Sequence, residues 1–189
     1  MSTKRDQIIE QANKIFLAKG YSGASMRDIA AAVGMEASSL YNHVESKHDI
    51  LQTVCFEIAQ EYQAGLDEIL DSDLSVKKKL KNIIQLHIFL AAKHKDKMVV
   101  FDLEWKHLEN EQLVSFKSLR KAYEQKLLAF ITYGIEQKKL NPVEPKYMLY
   151  TFLSGLKWVN YYFQQHKEKD IPTVSDSMIT MYLKGFYNN

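Results

Sequence analysis

Apolar residues recur at helical spacing along almost the whole chain, and few residues interrupt them. The first predicted helix stops at Gly20, and its apolar face is formed by Ile8, Ile9, Ala12, Ile15 and Phe16. The 189 residues include only seven glycines and three prolines, and so few breakers favour long helices over a turn-rich β architecture. No stretch alternates apolar and polar residues between turn signals as a strand would. The pattern therefore predicts an all-α fold.

The same spacing divides the chain into about nine helices of two size classes. After the first helix, we expect short helices at 25–33 and 36–43 and a connecting helix at 46–70. Longer helices are then predicted at 75–93, 96–108, 110–138, 144–166 and 174–187. The change in helix length indicates a small head, residues 1–47, and a larger helical body, residues 71–189.

Composition excludes several classes of protein. With 46% hydrophobic and 25% charged residues, the chain is typical of a soluble globular protein, and its apolar runs are too short to span a membrane. The N-terminal stretch lacks the apolar core of a signal peptide, so we expect a cytoplasmic protein. The lone cysteine, Cys55, is expected to be a small buried hydrophobe. The chain has no phosphate-binding glycine loop, no HExxH and no metal-ligand spacing among its six histidines, so we expect neither an enzyme nor a bound metal or cofactor.

Residues 25–43 have the form of a helix-turn-helix. Ser25 can cap the first helix while Asp28, three residues later, reaches back to the cap. Gly34 suits the tight turn, and Leu40 anchors the second helix to the core. In such a motif the second helix enters the DNA major groove.

Short polar side chains crowd the solvent side of that second helix. An asparagine such as Asn42 can make a bidentate contact to adenine, and serine can address several base edges or phosphates. Tyr41 and Lys47 suit backbone phosphates, and Arg27 can reach a guanine or a phosphate. The rings of Tyr41 and His43 can also pack against the head, so that only the polar tip of each side chain contacts a DNA phosphate. The residues predicted to contact DNA are Ser25, Arg27, Glu36, Ser38, Ser39, Tyr41, Asn42, His43 and Lys47.

The stretch "GYSGASMRDIAAAVGMEASSLYNHVESKHDIL", residues 20–51, resembles the TetR family of bacterial transcriptional regulators. About a dozen positions agree with the spacing of the family pattern: Gly20-Tyr21, Ser25, Arg27 to Ala30, Gly34, Leu40-Tyr41, His43 and Ser46-Lys47. The resemblance implies a homodimer of nine-helix protomers with N-terminal DNA-binding heads. It also implies that residues 71–189 form a ligand-binding and dimerisation domain, with the last two helices making the dimer's four-helix bundle.

Two positions depart from the family pattern, and the head is not broadly basic. Glu36 stands where serine or threonine is usual, and Val44 replaces a common phenylalanine. Glu36 can accept from a cytosine amino group or simply favour the positive end of a helix. Residues 1–50 carry six Lys/Arg and six Asp/Glu, so non-specific, salt-dependent DNA affinity should be modest.

The body is rich in aromatic residues that can line a binding site for a small hydrophobic effector. Its segment 101–163 is similar to the C-terminal bodies of family members that sense acyl-CoA thioesters. The candidate ligand-binding residues are His87, Phe101, Trp105, Arg120, Tyr123, Trp158 and Tyr162, with Phe130 and Leu156 as further tunnel walls.

Alternatives stay open for the body. His87 shares an apolar face, which favours a satisfied core histidine over a ligand contact. Lys117, Arg120 and Lys121 can bind CoA phosphates or form a solvated face. A planar aromatic effector would need no cations at the mouth of its binding site.

At the level of the whole chain, the predicted function is a ligand-responsive repressor of an operator on double-stranded DNA. The competing class is a helical small-molecule carrier or enzyme that has lost DNA binding.

Overall fold

The computed structural model describes residues 3–166 and 171–187, and within these residues the chain forms nine α-helices. In chain order they are α1 (Lys4–Gly23), α2 (Met26–Ala32), α3 (Ala37–Leu40), α4 (Lys47–Asp71), α5 (Val76–His94), α6 (Asp96–Glu104), α7 (Asn110–Glu136), α8 (Pro145–Gln165) and α9 (Ile171–Phe186). A 3-10 helix, Trp105–His107, follows α6. The predicted all-α class and the helix count are confirmed.

Helix ends differ from the prediction by three or more residues in four places, and one of them is α6, which ends at Glu104 rather than at 108 because a 3-10 helix follows. Gly20 does break α1, with φ 71° and ψ 158°, but one further turn follows it. The second helix of the helix-turn-helix ends at Leu40 rather than 43, because the next N–H groups bond three residues back: Asn42 to Ser39 and His43 to Leu40. The last helix begins at Ile171 rather than 174. The predicted break before it falls partly on residues 167–170, outside the described residues.

The chain packs as two units that are not consecutive in sequence. One unit comprises Met1–Ile58 and Asp96–Lys117, and the other comprises Ala59–Lys95 and Ser118–Asn189. The helices α4 and α7 each contribute one part to each unit. The sequence-based division at residues 47 and 71 followed chain order, whereas the packing also assigns α6 and the first turns of α7 to the unit of the head.

The first unit is built around α1. This helix packs against α2 and α6, and α2 packs against α3. Its core consists of fully buried aliphatic and aromatic side chains, among them Ile8, Phe16, Ile29, Leu40, Ile50 and Leu51. Cys55 is buried with them, as expected for a small hydrophobe. Burying a side chain of this size contributes about 1.5–3 kcal/mol, so this core holds the short helices α2 and α3 in place.

The second unit has α5 at its centre, packed against α8 and α9. Its fully buried side chains include Ile83, Ile84, Phe152, Val159 and Phe163. Gly155 lets α9 approach α8 closely, since a Cβ there would collide with the Tyr182 hydroxyl, which donates to the Phe152 carbonyl at 2.9 Å. None of the described helices combines the length and apolar character that crossing a membrane requires.

Candidate nucleic-acid interface and effector site

The first helix of the helix-turn-helix is fixed at both ends by local hydrogen bonds. The Ser25 hydroxyl accepts from the Asp28 N–H at 3.2 Å, and the Asp28 carboxylate accepts from the Ser25 N–H at 2.9 Å, as the sequence predicts. At the other end, Gly34 has φ 65°, the Met35 N–H donates to the Ala30 carbonyl, and the Gly34 N–H donates to the Ala31 carbonyl. These bonds form a Schellman motif, which ends α2 and directs the chain into α3.

Asp28 also links α2 to α1. Its carboxylate accepts from the Lys19 ammonium at 2.7 Å, and the hydrogen bonds from Lys19 and Ser25 lower the pKa of Asp28 to about 2. The side chain is therefore ionised at neutral pH, where it holds the entry of α2 against the end of α1.

Most of the predicted DNA-contacting side chains lie in solvent on α2, α3 and the turn that follows. Leu40 and Val44 are buried beneath them, so the polar and apolar faces of this segment separate as expected. Ser38 lies within α3 and Asn42 in the turn that follows it, and both side chains are exposed. The exposed members of the set are Ser25, Arg27, Glu36, Ser38, Ser39, Tyr41, Asn42 and His43.

Lys47 is placed differently from the expected phosphate contact. Its ammonium donates to the carbonyl oxygens of Tyr21 and Ala24, both at 2.8 Å, and lies 4.4 Å from the centroid of the Tyr21 ring. Two of its three N–H bonds therefore satisfy carbonyls at the end of α1. In this conformation the contacts of Lys47 fasten α4 to α1, and no local pattern predicts them because the partners lie 23 and 26 residues away.

Other cations of the head are also engaged within the protein. Arg5 pairs with Asp49 at 3.2 Å, and Lys14 pairs with Glu10 at 3.0 Å. Among the described residues of the head, Lys4 and Arg27 have no acceptor for their charge. The exposed positive charge available to phosphates is accordingly small, which agrees with the balanced composition of residues 1–50.

A second polar cluster in the first unit lies outside the predicted sites. His48 Nε2 contacts the Gln112 amide oxygen, and Gln112 Nε2 donates to the Gln52 amide oxygen at 2.6 Å. The Tyr21 ring stacks on His107, with ring centroids 5.1 Å apart. These contacts connect α4 and the end of α1 to the segment 105–112. Periodicity could not predict them, because they join positions about 60 to 90 residues apart.

In the second unit, His87 lies in an aromatic enclosure. Its Nε2 is 2.9 Å from the Tyr123 hydroxyl, and the Tyr62 and Phe152 rings pack at 4.8 and 6.0 Å between centroids. Burial lowers the pKa of His87 to about 3 and raises the pKa of Tyr123, so both groups are neutral at neutral pH. His87 therefore points inward as predicted, with Tyr123 as its partner.

The other predicted ligand-binding residues are not brought together with His87 and Tyr123. Phe101 and Trp105 belong to the first unit, where both rings pack on Phe116. Trp158 is 45% exposed and contacts the Tyr162 ring on α8, so it does not line an interior tunnel. Arg120, with Lys117 and Lys121, is exposed on α7. The predicted set is therefore distributed over both units and includes exposed residues of α7 and α8.

A cavity of the second unit lies elsewhere, where the end of α4 meets α5, α7 and the end of α9. Its volume is about 620 Å³, and its walls are formed by Leu70, Leu74, Ser75, Val76, Lys79, Lys126, Ala129, Phe130, Tyr133, Gln137, Lys139 and Tyr187. Of the predicted tunnel residues, only Phe130 is among them. Within the described residues, no three His, Cys, Asp or Glu side chains come together as a metal ion would need.

Known proteins resemble the chain over almost all of its length. The HTH-type transcriptional repressor KstR2 of Mycolicibacterium smegmatis is 24% identical over 161 residues, 84% of this chain and 78% of that protein. The crystal structure of the TetR family transcriptional regulator PfmR from Thermus thermophilus is 26% identical, with a TM-score of 0.83 over 95% of this chain and 98% of PfmR. The structure of AibR in complex with isovaleryl coenzyme A and operator DNA shares the fold, with a TM-score of 0.79, 22% identity and coverage of 95% and 97%.

Family models account for both parts of the molecule. The model described as bacterial regulatory proteins, tetR family, matches residues 8–54, which contain the helix-turn-helix. The model described as tetracyclin repressor-like, C-terminal domain, matches residues 73–186, more than half of the chain. With the capped α2, the glycine turn and the exposed polar side chains of α3 in the expected register, the chain belongs to the TetR family of bacterial regulatory proteins.

Proposed function

We propose that the protein is a repressor that binds an operator through α2 and α3 and leaves it when a small hydrophobic effector binds the second unit. The observation that carries the proposal is the row of unpaired polar side chains above a buried anchor: Ser38, Asn42 and His43 are exposed while Leu40 is fully buried. A solvated subdomain has no need for so many short donors and acceptors on one face. A DNA major groove offers matching base edges.

The active form is a homodimer assembled through α8 and α9. Several large side chains of these helices are exposed on the protomer, including Tyr147 at 73% and Met181 at 59%. Exposed apolar residues that share a face mark interaction surfaces. A twofold dimer would present its two heads to half-sites about 34–36 Å apart, so the operator is expected to be palindromic.

The effector is an acyl-CoA thioester or a related amphiphile. AibR, which has this fold, is described in complex with isovaleryl coenzyme A and operator DNA. A planar aromatic effector held by stacking, which needs no cation at the mouth of its site, is the competing class. A carrier or enzyme without DNA binding remains the alternative from another class.

The first experiment maps the operator and tests α3. Footprinting on DNA flanking the gene should reveal a salt-sensitive palindrome. Asn42→Ala should relax base preference at one position of each half-site and cost about 1–3 kcal/mol against the preferred base. Gln60→Ala, which removes an exposed amide from α4 outside the motif, serves as the matched control and should leave the affinity unchanged. If no palindrome is protected, the carrier or enzyme alternative gains support.

The second experiment identifies the effector class. Thermal unfolding is followed with acyl-CoA thioesters, the corresponding free acids and planar aromatic compounds, because binding to the folded state raises the apparent stability. A true effector must also lower operator affinity at equilibrium, since coupling requires unequal binding to the two states. A compound that stabilises the protein but leaves operator affinity unchanged is a ligand without regulatory effect.

A further inference from the structure

From the geometry of the 620 Å³ cavity we infer that it binds an anionic amphiphile, an apolar chain or ring body that carries one carboxylate or phosphate group. The inference rests on the proposed function, because it names the site and the ligand chemistry through which an effector would act. The cavity volume falls within the range of about 300–1,000 Å³ that small-molecule sites occupy.

The charge of the cavity walls specifies the anion. Three lysines, Lys79, Lys126 and Lys139, line the cavity, and no aspartate or glutamate is among its described walls. Lys126 is already engaged, since its ammonium contacts the Asp67 carboxylate. Lys79 donates to the Leu70 carbonyl at 2.6 Å, whereas Lys139 has no acceptor among the described residues. Lys139 is thus the lysine most open to an incoming anion, with Lys79 second.

The position of Lys139 is fixed by the backbone rather than left to a loose loop. The helix α7 ends at Glu136, Lys138 then has φ 55°, and the Lys139 N–H donates to the Gly134 carbonyl at 2.9 Å. Directly afterwards, the Asn141 N–H donates to the Phe186 carbonyl at 2.8 Å, which ties this turn to the end of α9. The backbone at Lys139 therefore needs no ordering when a ligand binds, and only its exposed side chain loses conformational freedom.

The apolar part of the ligand is expected to lie along Leu70, Val76 and Phe130. Phe130 also borders a closed apolar void of about 10 Å³, bounded by Leu80, Ile83, Leu127, Met148 and Phe152 among others. The void is at the lower limit for a single water molecule. A turn of the Phe130 side chain would join the void to the cavity and lengthen the space for an alkyl chain.

Lys79 provides a route from this site to α4. Its bond to the Leu70 carbonyl holds the last turn of α4 against the start of α5. A bound anion that attracts the Lys79 ammonium competes with the Leu70 carbonyl and weakens the hydrogen bond between α5 and the last turn of α4. Because α4 is one continuous helix from Lys47 to Asp71, its other end carries the lysine that fastens the head. Ligand binding can thereby bias the helix that leads to the DNA-binding motif.

Isothermal titration of the full-length protein with decanoate, decyl phosphate, decanoyl-CoA and decanol tests the site. The two small anions should bind at least about tenfold more tightly than decanol. Lys139→Gln should weaken decanoate binding about threefold to tenfold, in line with the energy of a partly exposed ion pair. Ala129→Trp, which fills the cavity from an exposed helix position, should abolish binding. The matched control Lys81→Gln, an exposed lysine of α5 outside the walls, should leave it unchanged.

Several outcomes would overturn the inference. The first is that decanol binds as tightly as decanoate. The second is that the Ala129→Trp protein keeps its helical circular dichroism and binds decanoate with normal affinity. The third is that decanoate, decyl phosphate and decanoyl-CoA all fail to bind. Operator release is measured in parallel on the same samples. Anion binding without operator release would leave the site intact and refute the proposed effector response. Operator release that Ala129→Trp does not affect would support the proposed function and place the effector elsewhere.

Discussion

At the scale of single residues, Lys47 stabilises the fold through contacts that its position in the sequence does not reveal. Its ammonium satisfies the carbonyls of Tyr21 and Ala24. Replacing it with methionine keeps an apolar stem but leaves both carbonyls without their charged donor. Lys47→Met should lower the free energy of unfolding by about 1–3 kcal/mol, measured by chemical denaturation without DNA.

A matched control distinguishes this role from a general loss of charge. Lys14→Met removes a cation that pairs only with the exposed Glu10 on the surface of α1, so its effect should stay below about 0.5 kcal/mol. If the free energies of unfolding of the Lys47→Met and Lys14→Met proteins are equal, the result would instead favour a role for Lys47 in binding DNA phosphates.

His87 makes the stability of the protein depend on pH. Burial lowers its pKa from 6.5 to about 3, so between these values the unfolded chain binds a proton that the folded protein does not. Stability contributed by neutral His87 is therefore complete above pH 6.5 and is lost as the pH falls, by about 1.4 kcal/mol per pH unit. His87→Gln should show a correspondingly flatter acid limb in urea unfolding series.

The hydrogen bond to Tyr123 is not the cause of the shift, and a second variant tests this point. Tyr123→Phe removes the hydroxyl but leaves His87 enclosed, so the acid dependence should persist while overall stability drops by about 1 kcal/mol. If the unfolding free energy of the His87→Gln protein falls with decreasing pH as steeply as that of the wild type, other groups determine the loss of stability in acid.

At the scale of elements, the turn between α2 and α3 depends on the left-handed conformation of Gly34. No atom lies close enough to obstruct a Cβ at this position, so the cost of a side chain is backbone strain alone. Gly34→Ala should destabilise the protein by about 1–2 kcal/mol and weaken operator binding, because the turn sets the angle at which α3 leaves α2. Thermal unfolding and operator titration measure the two effects.

A glycine without positive φ provides the comparison. Gly23, in the last turn of α1, has room for a Cβ at 3.6 Å from Lys19, so Gly23→Ala should be neutral or slightly stabilising. If both alanine variants behave alike, strain at Gly34 is not what holds the turn.

Local sequence patterns predicted most of the helices. Most of the features that were not predicted depend on contacts between residues far apart in the sequence. The Ser25 and Asp28 capping box, the break at Gly20 and the long α4 follow from residues within a few positions of each other. The early end of α3 at Leu40 was not predicted, because periodicity does not show where α-helical bonding gives way to bonds three residues back. Sequence periodicity shows that a face is apolar but not which distant helix covers it.

At the scale of the whole molecule, the same limit applies to the sites. The exposed set on α3 could be predicted because a helix-turn-helix is a local motif with fixed spacing. The lysine-lined cavity could not, because Lys79, Lys126 and Lys139 come from different helices and a turn. Phe101 and Trp158, chosen as large rings, are half-buried in the first unit and 45% exposed on the second unit, respectively. Ring size alone does not indicate a pocket wall.

The assembly is the property of the whole molecule that most directly tests the proposed function. On α8, Tyr147, Tyr150 and Trp158 are 73%, 55% and 45% exposed, and their spacing places them along one face of the helix. Covering such a face with the same face of a second copy would bury aromatic surface that is otherwise in water. Trp158→Asp would place a carboxylate in that interface without an established partner, and burial of an unpaired charge costs several kcal/mol.

Trp158→Asp should therefore raise the dimer dissociation constant at least about a hundredfold, as measured by sedimentation equilibrium. The fold of the protomer should persist, since Trp158 is half exposed and contacts mainly Tyr162. Phe89→Asp is the matched control, because Phe89 is an equally exposed ring, at 56%, but lies on α5. Loss of the dimer should also abolish tight binding to the full palindrome while weak binding to a single half-site remains. A Trp158→Asp protein that sediments as a dimer at wild-type concentrations would show that the subunits meet through a different surface.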